Sequence, residues 1–304
     1  MTQLLNALPG ALAQGLIWGV MAIGVYITYK VLDIADLTVD GSICTGAAVC
    51  TMLLLGGQSP WLALLCAVLA GVLAGAVTGL LHVGLGIPPI LAGILTQMVL
   101  WSVNLKLLGK ANQALPARTT PVLLSQMDVG GALPVLLGFC VVLMALLVLF
   151  FGTELGCALR ATGCNPVMSR AQGVNTGLMK VVGLALSNGV VALSGALLCQ
   201  YQGYTDVNMG RGAVVIGLAA VVIGQAVLGR RGGRMAVQLG GVILGAVIYY
   251  IVYQVIIFAG FDTDLLKMFS AVVVAVFLGA PHVKAQLKAH SRSKKGDSGH
   301  AENE

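Results

Sequence analysis

Residues 133–152 read LPVLLGFCVVLMALLVLFFG and contain no Asp, Glu, Lys or Arg. About 20 consecutive apolar residues are enough for a helix to cross a hydrocarbon core of about 30 Å. This stretch therefore predicts a transmembrane helix. The residues that follow it, 154–178, are too polar to cross a membrane and too many for a simple turn. The sequence thus predicts a membrane span that leads into a long polar loop.

The whole chain has the same apolar character. Of its 304 residues 58% are hydrophobic and only 9% are charged, whereas a typical soluble domain carries about 25% charged residues. The 41 glycines lie in apolar stretches, as they do in closely packed membrane helices. This composition excludes soluble globular, disordered, collagen-like and nucleic-acid-binding proteins. It predicts an all-α polytopic membrane protein.

The hydropathy pattern predicts about nine transmembrane helices, within a range of eight to ten. We expect a permease domain over residues 1–282 and a disordered basic tail over residues 283–304. The candidate spans cover residues 10–30, 38–56, 61–82, 88–109, 133–152, 179–200, 212–229, 235–259 and 264–280.

The distribution of Lys and Arg predicts the orientation of the chain, because cytoplasmic loops carry an excess of both. Most basic residues lie inside if the 154–178 loop and the C-terminal tail are cytoplasmic. That arrangement places the N-terminus outside and the C-terminus in the cytoplasm. In a bacterium the chain would be a multi-pass protein of the inner membrane.

The sequence also contains an internal repeat with a constant offset of 170 residues. Leu16 corresponds to Leu186, Asp36 to Asp206, and residues 71–77 to residues 241–247. The offset moves the first span onto the sixth, so the two copies are predicted to have opposite topology. Repeat 1 covers about 10–110, the connecting span 133–152 and repeat 2 about 179–280. Inverted repeats are typical of transporters, with the pathway near their interface.

Polar residues within the spans are candidates for the translocation path, because such residues in membranes are costly and usually face protein or water. Asp36 and Asp206 occupy related breaks and are predicted either to mark two corners of the path or simply to cap helices. Buried amides could instead form hydrogen bonds that hold neighbouring helices together. The predicted path residues are Gln97, Met98, Trp101, Asn104 and Asn188.

No motif for catalysis or metal binding is visible in the sequence. The four histidines are dispersed, and HExxH, GxSxG and GxxxxGK[ST] patterns are absent. We therefore predict no catalytic residues, no metal site and no cofactor in this chain. Any ATP-driven step would need a separate ATPase.

The polar loop contains a short predicted helix. Asn165 followed by Pro166 fits an N-cap with proline at the first helical position, and Gly173 is a plausible C-terminal stop. We expect the helix to cover residues 166–172. A short rigid helix on the inner face could transmit a push from a soluble partner, or it could be an ordinary surface loop that follows the positive-inside rule.

Residues 160–166, RATGCNP, together with residues 170–175, RAQGVN, resemble the coupling-helix segment of ABC importer permeases of the branched-chain amino acid and ribose class. The resemblance covers nearly all of residues 10–280. Residues 31–42, 102–112 and 184–210 are most similar to the tryptophan/tyrosine-type amino acid importer permeases. Cys164 and the pair Pro88–Pro89 depart from the pattern of that subgroup.

The resemblance implies partners and a mechanism. It implies a permease dimer, two ATP-binding cassette subunits that hold ATP and Mg²⁺, and an extracytoplasmic substrate-binding protein. The function implied is import of a small solute by alternating access, in particular of an amino acid, with aromatic amino acids included. The residues carried over as ATPase-coupling residues are Arg160, Thr162, Gly163, Asn165, Pro166, Arg170 and Gly173.

Three alternatives remain open at this point. The chain could be an ABC importer permease for a sugar or nucleoside, or a non-transporting membrane anchor or enzyme. It could also be a secondary carrier driven by an ion gradient, which would require an acidic residue near the middle of the membrane. The acidic residues are predicted near the span ends, which disfavours such a carrier.

Overall fold

The computed structural model describes residues 2–116, 120–228, 234–258 and 275. The predicted span at 264–280 and the predicted basic tail at 283–304 lie outside the described residues. The count of nine spans therefore stays a prediction.

The described residues form ten α-helices, and a π-helical turn, Ile27–Val31, extends the first of them. Eight helices match predicted spans, seven of them to within four residues at each end, while α1 begins eight residues earlier than predicted. Six helices are long and apolar enough to cross a membrane, as expected for an all-α polytopic membrane protein. The helices are α1 (Thr2–Tyr26), α2 (Val39–Leu55), α3 (Pro60–Gly84), α4 (Pro89–Leu108), α5 (Val129–Gly152), α6 (Glu154–Cys164), α7 (Pro166–Ala171), α8 (Thr176–Gln202), α9 (Ala213–Leu228) and α10 (Met235–Phe258).

Local sequence signals explain where the helices begin and end. Helix α3 begins with Pro60 after Ser59, whose hydroxyl accepts a hydrogen bond from the Leu62 backbone N–H. Gly109 follows the last residue of α4 and Gly203 that of α8, and both glycines adopt the left-handed conformation that glycine tolerates without steric cost.

Helices α1 and α8 form the centre of the bundle. Their most apolar segments are 78% and 72% buried, compared with 22% for α4 and α5. Helix α8 packs against α2 and α3, and α1 packs against α9 and α10. A shift of 170 residues relates these two sets of contacts. Each central helix thus packs against the second and third helices of the other predicted repeat, which is the reciprocal packing that two related halves would make.

Small residues allow the central helices to approach closely. A Cβ atom on Gly71 of α3 would lie 2.3 Å from the Asn188 carbonyl oxygen of α8, and one on Gly75 would lie 2.2 Å from that of Leu184. No larger residue fits at either position without moving a helix backbone. The glycines in apolar stretches therefore act here as predicted, because they permit close helix packing.

Two elements were not predicted from the sequence. Helix α6 occupies the first half of the polar loop, and it begins where the Thr153 hydroxyl accepts a hydrogen bond from the Gly156 N–H. A two-stranded antiparallel sheet joins β1 (Asn112–Ala114) to β2 (Tyr204–Asp206). The sheet connects the residues after α4 with those after α8, and it lies beside the second break between helices.

Candidate functional site

Two short helices begin at breaks in the chain and place polar groups inside the bundle. Helix α2 has 17 residues and α9 has 16, so they are about 26 and 24 Å long. Both are shorter than the hydrocarbon core of about 30 Å. Each follows a segment without α-helix that contains one of the predicted corner residues, Asp36 or Asp206. Short helices that begin within a bundle are typical of transporter binding sites.

The two corner residues make the same local turn. Asp36 Oδ1 accepts a hydrogen bond from the Thr38 N–H at 2.9 Å, and Asp206 Oδ1 accepts one from the Asn208 N–H at 2.6 Å. These four residues are pairwise related by the 170-residue offset. Asp36 and Asp206 thus make the same contact with the backbone two residues later, while the internal repeat stays a prediction.

Asp36 is also the centre of a buried polar cluster, and its side chain is only 5% exposed. Its Oδ2 accepts a hydrogen bond from Asn188 Nδ2 at 2.7 Å, while Asn188 Oδ1 accepts one from the Ser42 hydroxyl at 2.6 Å. Asn188 lies twelve residues into α8, about 18 Å along its axis. The expectation that acidic residues lie near span ends is therefore wrong for Asp36, because the non-helical segment carries it to the middle of α8.

A chain of threonines continues this cluster across the bundle. The Thr38 hydroxyl lies 2.8 Å from that of Thr78, and the Thr78 hydroxyl donates to that of Thr96 at 3.0 Å. The chain links the start of α2 with α3 and α4. These threonines carry no signal in the sequence, because an isolated threonine in an apolar helix commonly bonds only to the preceding turn.

Asp40 connects the two short helices directly. From the first turn of α2, its Oδ2 accepts a hydrogen bond from the Gly212 N–H and its Oδ1 accepts one from the Val214 N–H, both at 3.0 Å. A carboxylate is favourable at a helix N-terminus, where unpaired N–H groups concentrate partial positive charge. Asp40 thus caps α9 across the boundary between the two predicted repeats.

A cavity of about 570 Å³ lies beside this junction. Four of the five predicted path residues line it, namely Gln97, Met98, Trp101 and Asn104. They share one face of α4, because residues three, four or seven apart lie on the same side of a helix. The cavity is lined by Asp40, Gly41, Cys44, Gln97, Met98, Trp101, Ser102, Asn104, Val207 and Arg211.

The fifth predicted path residue, Asn188, is buried in the Asp36 cluster rather than at this cavity. Its contacts are those of an amide that joins helices. A role for Asn188 in the path stays a prediction, as do the roles of the other four residues. Asp40 and Arg211 also line the cavity, although neither was among the predicted path residues.

Asn104 has an unusual environment within the cavity. Its side chain is 1% exposed, and neither its Nδ2 nor its Oδ1 has a hydrogen-bond partner among the described residues. Most buried side-chain polar atoms in proteins are paired, so an unpaired amide needs an explanation. One turn away, Trp101 Nε1 donates a hydrogen bond to Asn208 Oδ1 at 3.4 Å, which ties α4 to the second break.

A second cavity of about 570 Å³ lies on the other side of the second break, between α1, α9 and α10. Its lining includes an aromatic cluster of Trp18, Tyr249, Tyr250 and Tyr253. Arg211 lines this cavity as well as the first. The residues between β2 and α9 therefore separate two polar-lined spaces.

The predicted loop helix is present as α7. Asn165 Oδ1 accepts hydrogen bonds from the Val167 and Met168 N–H groups at 3.1 and 3.0 Å, and Pro166 is the first helical residue. Gly173 adopts a φ of +84° after the helix ends. Arg170 Nη2 donates to the Thr176 hydroxyl at 3.1 Å, which fixes α7 against the start of α8.

Helix α6 fixes the loop to the rest of the bundle. A Cβ atom on Gly163 would lie 1.8 Å from the Val31 carbonyl oxygen, so α6 packs directly on the π-helical turn. Arg160 Nη2 donates to the Phe151 carbonyl oxygen at 3.1 Å, and Thr162 is buried. By contrast, Val167 and Met168 on α7 are 79% and 62% exposed. The predicted coupling residues thus hold the loop in place, while α7 presents apolar side chains outward.

Comparison with known proteins agrees with this architecture. The family model described as "Branched-chain amino acid transport system / permease component" matches residues 8–280. The chain belongs to this permease family. The resemblance that the sequence analysis drew from the loop residues is therefore confirmed. The chain is a transmembrane permease of the ABC transporter type.

Individual members of the permease family show the same relationship. The tyrosine transport system permease protein of Clostridioides difficile is 37% identical over 292 residues, covering 93% of this chain and 94% of that protein. An uncharacterized protein of Rickettsia prowazekii is 33% identical over 91% of this chain and 98% of its own. An autoinducer 2 import system permease protein of Escherichia coli is 29% identical over 67% of this chain and 60% of its own. No solved structure matches the chain.

Proposed function

We propose that this chain is the permease subunit of an ABC importer that moves an amino acid, with an aromatic amino acid as the first candidate. The observation that carries the proposal is the cavity between α4 and the two short helices in a chain of this permease family. The similarity to a tyrosine transport permease supports an amino acid as substrate. In this proposal the chain lies in a bacterial inner membrane with its C-terminus in the cytoplasm.

In this proposal, partner subunits supply the ATP-driven step and the delivery of the solute. An ATP-binding cassette subunit binds ATP with Mg²⁺ and docks on α7, and an extracytoplasmic binding protein delivers the solute. A second copy of the permease packs against the exposed face of α4, where Met98 and Trp101 are 66% and 43% exposed, and closes the cavity.

The contacts support a mechanical route from α7 to the cavity. Movement of α7 displaces α6, because the two are joined only by Asn165. Helix α6 packs on the π-helical turn at Val31. The next residues form the break that holds Asp36 and leads into α2, whose first turn lines the cavity. ATP-driven closure of the partner subunits would thus shift the cavity between discrete states.

An ion-coupled carrier is the second candidate. The sequence disfavoured it because the acidic residues were predicted near span ends, but the structure places Asp36 beside the middle of α8. A buried carboxylate halfway along α8 could bind a proton or Na⁺. Its two oxygens, however, already accept hydrogen bonds from Thr38 and Asn188. The arrangement of Asp36 is that of a structural cluster, so the ATP-driven importer remains the better-supported proposal.

Uptake by the reconstituted transporter distinguishes the two candidates. The permease is combined with a candidate ATP-binding subunit and a candidate binding protein from the same organism, and all three are assembled in proteoliposomes. We expect uptake of labelled L-tyrosine to require ATP and to persist when a protonophore and a Na⁺ ionophore collapse the gradients. Uptake that stops with the ionophores while ATP remains high would refute the ABC importer and support the carrier.

A further inference from the structure

We propose that the first cavity contains a recognition site for an α-amino acid zwitterion, in which Arg211 and Asn104 bind the substrate's charged groups. The inference rests on the proposed function, because it takes the cavity as part of the translocation path. It goes further by assigning selectivity to the permease itself, in addition to the selectivity of a binding protein.

The first observation is the charge that remains in the cavity. Arg211 and Asp40 both line it, but the Asp40 carboxylate is engaged with the Gly212 and Val214 N–H groups at the start of α9. Among the described residues, no carboxylate forms an ion pair with the Arg211 guanidinium. Arg211 therefore offers positive charge to a ligand. A guanidinium binds a carboxylate through two parallel hydrogen bonds, which selects that group by shape as well as charge.

The second observation is independent of the first, and it is the unpaired amide of Asn104. This side chain offers both a donor and an acceptor, and neither has a partner among the described residues. A zwitterion satisfies both atoms, because its carboxylate accepts from Nδ2 and its ammonium group donates to Oδ1. A ligand with only one of these groups would leave part of the buried amide unpaired, so it should bind more weakly.

The position and size of the cavity fit the same ligand. It lies at the N-terminal ends of α2 and α9, and the N-termini of interrupted helices commonly face anionic substrate groups in transporters. A volume of about 570 Å³ falls within the range of about 300–1,000 Å³ typical of small-molecule sites. Met98 and Trp101 provide an apolar wall for the substrate's side chain.

The test measures ligand binding to the purified full-length permease in lipid nanodiscs, without the binding protein. The probes are L-tyrosine, 3-(4-hydroxyphenyl)propionate, which lacks the ammonium group, and tyramine, which lacks the carboxylate. We expect L-tyrosine to bind best and tyramine at least tenfold more weakly. Arg211→Gln should weaken L-tyrosine binding at least tenfold and abolish the discrimination against tyramine. Lys106→Gln removes a positive charge from an exposed position in the last turn of α4 and should change neither the affinity for L-tyrosine nor the discrimination against tyramine.

Asn104→Leu separates recognition from structural support. Leucine has nearly the shape of asparagine and removes an unpaired buried amide, so thermal stability should be unchanged or higher while L-tyrosine binding falls at least fivefold. A site for zwitterions is refuted if the wild-type permease binds none of the probes at millimolar concentration, or if Arg211→Gln and Asn104→Leu bind L-tyrosine as the wild type does. ATP-driven uptake that persists in those variants would leave the importer intact and reject only the site. Carboxylate-dependent binding without ATP-driven uptake would support the site and reject the importer.

Discussion

Replacing Asn188 with alanine is expected to lower the free energy of unfolding by about 3 kcal/mol, because the buried carboxyl group of Asp36 and the buried hydroxyl of Ser42 both lose a hydrogen-bond partner. The substitution removes the hydrogen bond to Asp36 Oδ2 and the one from the Ser42 hydroxyl. Both groups are too deeply buried for water to replace the amide easily. The measurement is the unfolding midpoint of the purified permease in mixed micelles titrated with sodium dodecyl sulfate.

Asn208→Ala is the matched control for this prediction. Asn208 is an exposed amide at the related break, and its side chain accepts one long hydrogen bond from Trp101. Its loss should change stability by no more than about 0.5 kcal/mol. Equal midpoints for Asn188→Ala and Asn208→Ala would show that the Asp36 cluster does not stabilise the bundle.

Reversing the charge of Arg170 is expected to uncouple ATP hydrolysis from transport. Arg170 lies in the last turn of α7 and donates to the Thr176 hydroxyl at the start of α8. Glutamate cannot donate this hydrogen bond, and it places negative charge at the helix C-terminus, where it is unfavourable. We expect Arg170→Glu to reduce uptake at least tenfold in proteoliposomes, while the ATPase activity of the complex changes less than twofold and the permease still inserts.

Two further variants sharpen this prediction. Arg170→Lys keeps the charge and should retain at least half of the uptake, whereas Lys106→Glu reverses a charge at the far end of α4 and should have no effect. If Arg170→Glu transports as fast as the wild type, α7 is not the element that transmits ATP-driven motion.

The local features of the fold could be predicted from the sequence because each depends on neighbouring residues. The Asn165-Pro166 pair predicted the start of α7, and Gly173 predicted its end. The same applies to the hydrophobic runs that became helices. The constant offset of 170 residues paired Asp36 with Asp206, and the two residues make matching turns. Gln97, Trp101 and Asn104 were predicted as path residues from their polar or aromatic character within a span, and their i, i+4 and i+7 spacing explains why they share one face of α4.

Contacts between distant segments could not be predicted in the same way. Asp40 caps a helix that begins 173 residues later in the chain, at Ala213, and no local pattern signals that pairing. The depth of Asp36 depends on how residues 32–38 run between α3 and α8. Helix α6 was missed because its sequence is polar and glycine-containing, and the close contact of Gly163 with Val31 stabilises it only in the folded bundle.

Site-specific photocrosslinking from α7 tests most directly whether this permease receives its driving force through the loop between α5 and α8. Benzoylphenylalanine at Val167, which is 79% exposed, is compared with the same group at Met127, which is 81% exposed beside the opposite end of α5. We expect Val167 to crosslink to the ATP-binding subunit in whole cells and Met127 not to do so. A Val167 product with the extracytoplasmic binding protein, or no product with a nucleotide-hydrolysing subunit, would contradict the importer mechanism.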